Sequence, residues 1–146
     1  MPLDTRKYML FNLLTDTGIT MENSSRIWIA EDDRSLRWVM EKALTRAGIG
    51  VRCFERGDHL LAALTQARPT VIISDVRMPG TDGLALLKRV EANFPEIPII
   101  ITTAHSDLDS AVSAYQGGAF EYLPKPFDIE ELIAVAKRAI AISKEK

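Results

Sequence analysis

The sequence predicts an α/β protein built on a five-stranded parallel sheet with helices on both faces. From Arg26 onward, short apolar runs alternate with segments of helical periodicity across short links, the pattern of a layered parallel sheet. Within that alternation, Val71 to Ile73 and the stretch Ile97, Ile99 to Ile101 are unbroken apolar runs, as strands buried on both faces are. Right-handed crossovers leave few topologies for such strands, and the order 2-1-3-4-5 is the expected one.

The first strand is expected over 26–30, where Ile27-Trp28-Ile29-Ala30 stops abruptly at Glu31-Asp32-Asp33. A helix over about 34–47 follows, with Leu36, Met40, Ala43 and Ala47 as its inward stripe and Gly48 as its stop. The second strand, 50–54, contains the alternating run Val51-Arg52-Cys53-Phe54, in which Cys53 reads as a small buried apolar side chain. A helix over 57–67 leads to the third strand, 70–75, which ends at Ser74-Asp75. The remaining elements are a helix at 83–93, a strand at 97–103 ending on Thr103, a helix at 107–117, a strand at 119–123 and a helix at 128–143. Asp128 with Glu131 gives that last helix a capping-type start, and Ile129, Leu132, Ile133, Ala136 and Ile140 are its expected core stripe.

With 146 residues, 47% hydrophobic and 26% charged, the chain suits one compact domain over 26–143. Residues 1–25 read as an extension ahead of it and 144–146 as a chain end or the start of a linker. Direct nucleic-acid binding is not expected: Lys and Arg are scattered and outnumbered by Asp and Glu, 18 to 20, and phosphate neutralisation needs a basic face. The single cysteine permits no internal disulfide, which fits a reducing cytoplasm. No apolar run approaches the ~20 residues that span a bilayer. Arg6-Lys7 ahead of Tyr8 to Leu14 faintly imitates a signal peptide, but no small-residue cleavage pattern follows, and Met21 offers an alternative start. His59 and His105 lack metal-ligand spacing.

Chemistry gathers where the strands end. The first and third strands deliver carboxylates at their C-terminal ends, and in an open parallel sheet those ends share the edge beside which ligands bind. Carboxylates crowded there repel one another by roughly 3 kcal/mol per pair at ~5 Å and an effective dielectric of ~20. Mg2+, a hard cation that needs only one or two carboxylates plus a phosphate, would neutralise them, and Lys125 would supply a fixed second charge. Taken singly, Asp32-Asp33 is a solvated loop, Asp75 to Gly80 a turn, Thr103 a cap, Lys125 a surface charge and Tyr122 core filling. Together at one sheet edge they point to a phosphoryl-accepting site.

Glu31-Asp32-Asp33, Ser74-Asp75-Val76-Arg77-Met78-Pro79-Gly80, Thr103-Ala104 and Lys125-Pro126-Phe127 resemble the receiver domain of bacterial two-component response regulators, a flavodoxin-like fold, over Arg26 to Ser143. Arg37-Trp38-Val39, Met78 to Lys88 and Thr103 through Asp109 with Pro126-Phe127-Asp128 are similar to the nitrogen regulatory protein C branch, the sigma-54-dependent activators. The resemblance implies that Asp75 accepts a phosphoryl group from a sensor histidine kinase. It implies Mg2+ on Asp32, Asp33, Asp75 and the Arg77 carbonyl, with Glu31 behind them, and Thr103 and Lys125 on the phosphoryl oxygens. Thr103 and Tyr122 would form the switch pair, and Lys125-Pro126 a cis peptide. Such a domain is a signalling switch that catalyses only its own phosphotransfer and slow dephosphorylation. Its relatives place an ATPase and a DNA-binding domain after the receiver. No Gly-x-x-x-x-Gly-Lys loop or helix-turn-helix occurs here, so the chain is either part of a longer transcriptional regulator or a free-standing receiver acting by protein contact.

Two surfaces stand out on helical geometry. Trp38 falls opposite the first helix's inward stripe, either as a docking anchor, or laid over Lys and Arg stems, or beneath the N-terminal extension. On the fourth helix Leu108, Ala111, Val112 and Tyr115 face one way and Ser110, Ser113 and Ala114 another; the first set is the expected output surface, extended by Val135 and Ile142 and available to a receiver-receiver dimer on phosphorylation. Rival classes fit less well. A haloacid dehalogenase phosphatase carries Asp-x-Asp after its first strand, where this chain has Asp32-Asp33-Arg34, and a flavin or nucleotide binder needs a Ser/Thr/Gly-rich phosphate loop there.

Overall fold

The computed structural model describes residues 26–104 and 108–144. Strands β1 (Ile27–Ala30), β2 (Val51–Phe54), β3 (Val71–Asp75), β4 (Ile99–Ala104) and β5 (Glu121–Lys125) alternate with helices α1 (Arg34–Arg46), α2 (Gly57–Ala63), α3 (Gly83–Asn93), α4 (Leu108–Gln116) and α5 (Ile129–Lys144). The strands form one parallel sheet in the order β2-β1-β3-β4-β5, as the sequence predicts.

Side chains alternate across the sheet and divide the core in two. Ile27, Ile29, Val71, Ile73, Ile100 and Leu123 pack beneath α1 and α5 with Met40, Leu44, Leu132 and Ala136. Trp28, Ile72, Ile99 and Ile101 face the other way, against Leu60, Leu86, Leu87, Val90 and Ala114 of α2, α3 and α4. Each large apolar side chain so buried contributes roughly 1.5–3 kcal/mol relative to exposure. This two-sided burial is why the central strands read as unbroken apolar runs.

Element ends moved for identifiable reasons. Strand β4 begins at Ile99 because Pro98 has no N–H to give a ladder. Strand β5 runs on to Lys125 despite Pro124, which an edge strand tolerates. Helix α1 ends as expected: Ala47 caps it and Gly48 takes φ 84.

Two helix-face expectations are corrected and one is extended. In α1 the expected stripe of Leu36, Met40, Ala43 and Ala47 does pack on the core, and Leu44, fully buried, joins it. In α5, Val135 is buried and Ile129 is exposed, the reverse of the expected stripe. The inward row runs through Leu132, Val135, Ala136, Ala139 and Ile140, and Ile129 sits in the first turn. In α4, Ala111 is buried with Ser110 and Ala114, so it leaves the expected output surface, while Val112 and Tyr115 stay exposed. Ala111 is a helical neighbour of both rows, and the small residues form the face on which α4 approaches β4 and β5. The Leu108 side chain and His105 lie outside the described residues.

Candidate functional site

The C-terminal edge of the sheet is set by register. Ala30 pairs with Ser74, Asp75 with Thr102, Thr103 with Pro124 and Ala104 with Lys125, so the ends of β1, β3, β4 and β5 stand together. Glu31 continues β1 by one residue, its N–H donating to the Phe54 carbonyl at 3.0 Å. By strand alternation its side chain follows Ile27 and Ile29 inward, and it is only 1% exposed. Asp75 ends β3, also buried. Behind it the β3–α3 loop returns so closely that a Cβ on Gly83 would collide with the Asp75 carbonyl oxygen, so only glycine fits there.

Lys125 closes the site. Its Nζ lies 3.0 Å from Glu31 Oε1 and 3.0 Å from Asp75 Oδ2. The Lys125-Pro126 peptide is cis, as expected. Burial pushes the Lys125 pKa down, but the Glu31 and Asp75 carboxylates outweigh it and raise the value above the ordinary one. For Glu31, burial is the largest influence and raises the pKa, opposed by the Asp33 N–H; the Asp75 charge raises it further, Lys125 lowers it, and the net direction is up.

Glu31, Asp32 and Asp75 each offer a carboxylate oxygen within 4.8 Å of the others. The buried Glu31 Oε1 has the Lys125 ammonium as its partner, and the clustered hard oxygen donors of the three carboxylates fit a divalent cation such as Mg2+. Asp33, expected to hold the metal directly or through water, is not one of these three carboxylates. Its Oδ1 accepts from Leu36 N–H at 3.1 Å as the α1 cap, it is exposed, and it stands outside the carboxylate group. Its own N–H donates to Glu31 Oε2 at 2.9 Å, so it serves the site by holding Glu31.

Thr103 is fully buried at the same edge, one residue before Ala104. Tyr122 is half-buried, and Tyr115 meets it edge-on with ring centroids 6.3 Å apart. The Tyr115 hydroxyl accepts from the Tyr122 N–H at 3.2 Å and donates to Glu121 Oε2 at 3.4 Å. Arg77 is exposed in the loop after β3. Trp38 is 60% exposed, with the Lys42 ammonium 5.6 Å from its ring centroid, so the ring is both open and flanked by a lysine. The sequence reading missed Arg37, whose Nη1 donates to the Glu31 carbonyl at 2.7 Å; an arginine four residues past the strand-end acids was the available signal.

A doubly wound sheet carrying three carboxylates and a lysine at its C-terminal edge is the frame of a phosphoryl-accepting switch. Residues 27–137 match the response regulator receiver domain, and the chain belongs to that family. It is 59% identical over 119 residues to the DNA-binding transcriptional regulator NtrC of Klebsiella pneumoniae, covering 82% of this chain and 25% of that protein. It is 56% identical over 120 residues to the NtrC of Escherichia coli strain K12, covering 82% and 26%. The solution structure of the apo receiver domain of nitrogen regulatory protein C aligns at 56% identity and a TM-score of 0.73, over 82% of this chain and 96% of that one. The beryllofluoride-activated form of that domain gives a TM-score of 0.70 over the same shares. The chain spans about a quarter of the length of the curated relatives it matches. No helix among the described residues is long and apolar enough to cross a membrane.

Proposed function

We propose that Asp75 accepts a phosphoryl group from a sensor histidine kinase and that the aspartyl phosphate switches the domain between two conformations. The observation that carries this is the Lys125 ammonium poised 3.0 Å from both Asp75 and Glu31. Phosphoryl transfer is mostly positioning and electrostatics, so a carboxylate beside a fixed cation is equipped as acceptor. Glu31, Asp32 and Asp75 would hold Mg2+, with the Arg77 carbonyl alongside; when bound, the ion compensates charge on the phosphoryl oxygens. Thr103 would bond a phosphoryl oxygen, and its movement would open space for the Tyr122 ring, so that phosphorylation shifts a two-state population.

In this reading the domain is a cytoplasmic switch with no turnover of outside substrates. It controls an output carried elsewhere in a longer regulator, transcription as in its relatives, and the phosphorylated form pairs with a second receiver. The test is intact-mass measurement after acetyl phosphate and Mg2+. Wild type should gain one phosphoryl group and Asp75→Asn none; an adduct in Asp75→Asn would move the acceptor elsewhere.

A further inference from the structure

The loop between β3 and α3, residues 76–82, contains Arg77 and is held at its base by backbone hydrogen bonds. The Gly83 N–H donates to the Val76 carbonyl at 2.8 Å, and the Val76 N–H to the Thr102 carbonyl at 3.0 Å. Its tip, Pro79 and Gly80, is exposed, so burial does little to fix it. What meets the tip is the start of α2. A Cβ on Gly57 would lie 2.0 Å from the Thr81 carbonyl oxygen, and one on Gly80, which takes φ 77, would lie 2.5 Å from Asp58 Oδ1 and 2.7 Å from Arg56 Nη2. The Gly57 backbone therefore touches Thr81, and the Arg56 and Asp58 side chains lie against Gly80. Those side chains are locked together: Arg56 Nε donates to Asp58 Oδ1 at 3.0 Å and Nη2 to Oδ2 at 3.1 Å. A two-bond guanidinium–carboxylate pair is fixed in direction as a single contact is not.

We propose that the Arg56–Asp58 pair is a clasp on the β3–α3 loop: it holds Gly80, and through Gly80 the Arg77 carbonyl, in the position that accepts Mg2+. The inference rests on the reading of that carbonyl as a ligand beside Glu31, Asp32 and Asp75. Arg56 and Asp58 are not among the site's own groups, so both are positioning residues that act through the loop. A carbonyl ligand has no side chain for packing to hold, and its direction is set by the backbone on either side of it. On one side Val76 is fixed by its two hydrogen bonds; on the other, the clasp does the fixing. Mg2+ demands near-octahedral oxygen placement, and its apparent affinity falls by the fraction of time a ligand points elsewhere. The spacing suits the task, since Arg56 and Asp58 flank the one residue, Gly57, whose missing side chain lets Thr81 approach.

The test measures Mg2+ affinity by calorimetry in Arg56→Gln, Asp58→Asn and the double variant of the full chain, with urea unfolding to show that each is folded. Each single variant should bind Mg2+ about threefold more weakly, in keeping with a part-exposed ion pair. The double variant should bind no more weakly than either single one, because the pair is lost only once. Charge acting at a distance gives a different pattern: losing the Arg56 cation would strengthen Mg2+ binding, and losing the Asp58 anion would weaken it. The sign of the Arg56→Gln effect therefore separates a clasp from a field. Amide hydrogen exchange without metal gives a readout independent of the ion: Arg77, Met78, Gly80 and Thr81 should exchange faster in all three variants, with β1 and β4 as in wild type. Loop exchange unchanged in both single variants, or tighter Mg2+ binding by Arg56→Gln, overturns the clasp. Faster loop exchange with wild-type Mg2+ affinity in all three variants refutes the Arg77 carbonyl as a ligand instead, and with it the reading on which the clasp rests.

Discussion

Glu31 and Lys125 close a 3.0 Å ion pair although their strands are not neighbours, since β3 and β4 lie between β1 and β5. At ~4.8 Å per strand the two backbones are roughly 14 Å apart, so the contact needs a glutamate reaching from one side and the full lysine stem from the other. Asp75, on β3 between them, shares the same ammonium. The pair therefore spans the acceptor, and the lysine is the group whose loss leaves two buried carboxylates facing each other.

Lys125→Ala should destabilise the metal-free protein at neutral pH by about 1–3 kcal/mol. Breaking a fully buried pair costs ~3–5 kcal/mol, and the figure is reduced because a quarter of the lysine side chain is exposed. Urea unfolding measures it. The deficit should shrink when Mg2+ is added, because the cation replaces the missing charge; a deficit unaffected by Mg2+ would mean that the carboxylates do not share a metal.

Asp32 and Asp33 separate cleanly by their places in the structure. Asp32→Ala should lower Mg2+ affinity tenfold or more in calorimetric titration, with little change in stability. Asp33→Ala should cost about 1 kcal/mol through loss of the α1 cap, with Mg2+ affinity within a few-fold of wild type. The opposite pattern would restore Asp33 as the ligand and remove Asp32.

The sheet order and the strand-end location of the site were legible because a parallel sheet buried on both faces leaves an unmistakable apolar signal. That Asp75, Asp32 and Lys125 come together at one sheet edge was legible because each ends an apolar run or follows one. That Asp32 and Asp33 differ was not legible from two adjacent acids: Asp33 falls at the helix cap and its side chain takes a backbone N–H. The parity of Ile27, Ile29 and Glu31 would have shown that Glu31 turns inward. Helix faces fared worse: Ala111 and Val135 sit where two helical rows adjoin, and the neighbouring elements decide which row is covered.

Cys53 gives a pH prediction independent of the site. Burial, followed by the Glu41 charge, raises its thiol from an ordinary 9.0 to about 11, against a smaller lowering by Arg37. With the folded value above the unfolded one, the thiol's contribution to stability is fully present below about pH 9 and is lost as pH rises toward about 11. Iodoacetamide should therefore alkylate native protein at pH 8 about 100-fold more slowly than urea-unfolded protein, since two pKa units are a hundredfold in thiolate. Equal rates would show that the thiol is neither buried nor shifted.

Phosphorylation should be read out through α4 and β5. Tyr115 ties them together, accepting from the Tyr122 backbone N–H and packing on the Tyr122 ring, so a Tyr122 side chain that moves toward Thr103 gives up the ring contact and leaves the tie to the N–H alone. Val112 and Tyr115 are already exposed on α4, and Ile142 is exposed on α5. Amide hydrogen exchange with and without beryllofluoride should change in α4 and β5 and much less in α2 and α3, whose core contacts are remote from the pair. Tyr115→Phe removes the hydroxyl that accepts the Tyr122 N–H, at about 0.5–1.5 kcal/mol for the lost hydrogen bond. It should therefore raise α4 and β5 exchange in the unphosphorylated protein toward the activated level. Exchange changes confined to α2 and α3, with α4 and β5 unaltered, would place the output surface on the other helices of that face.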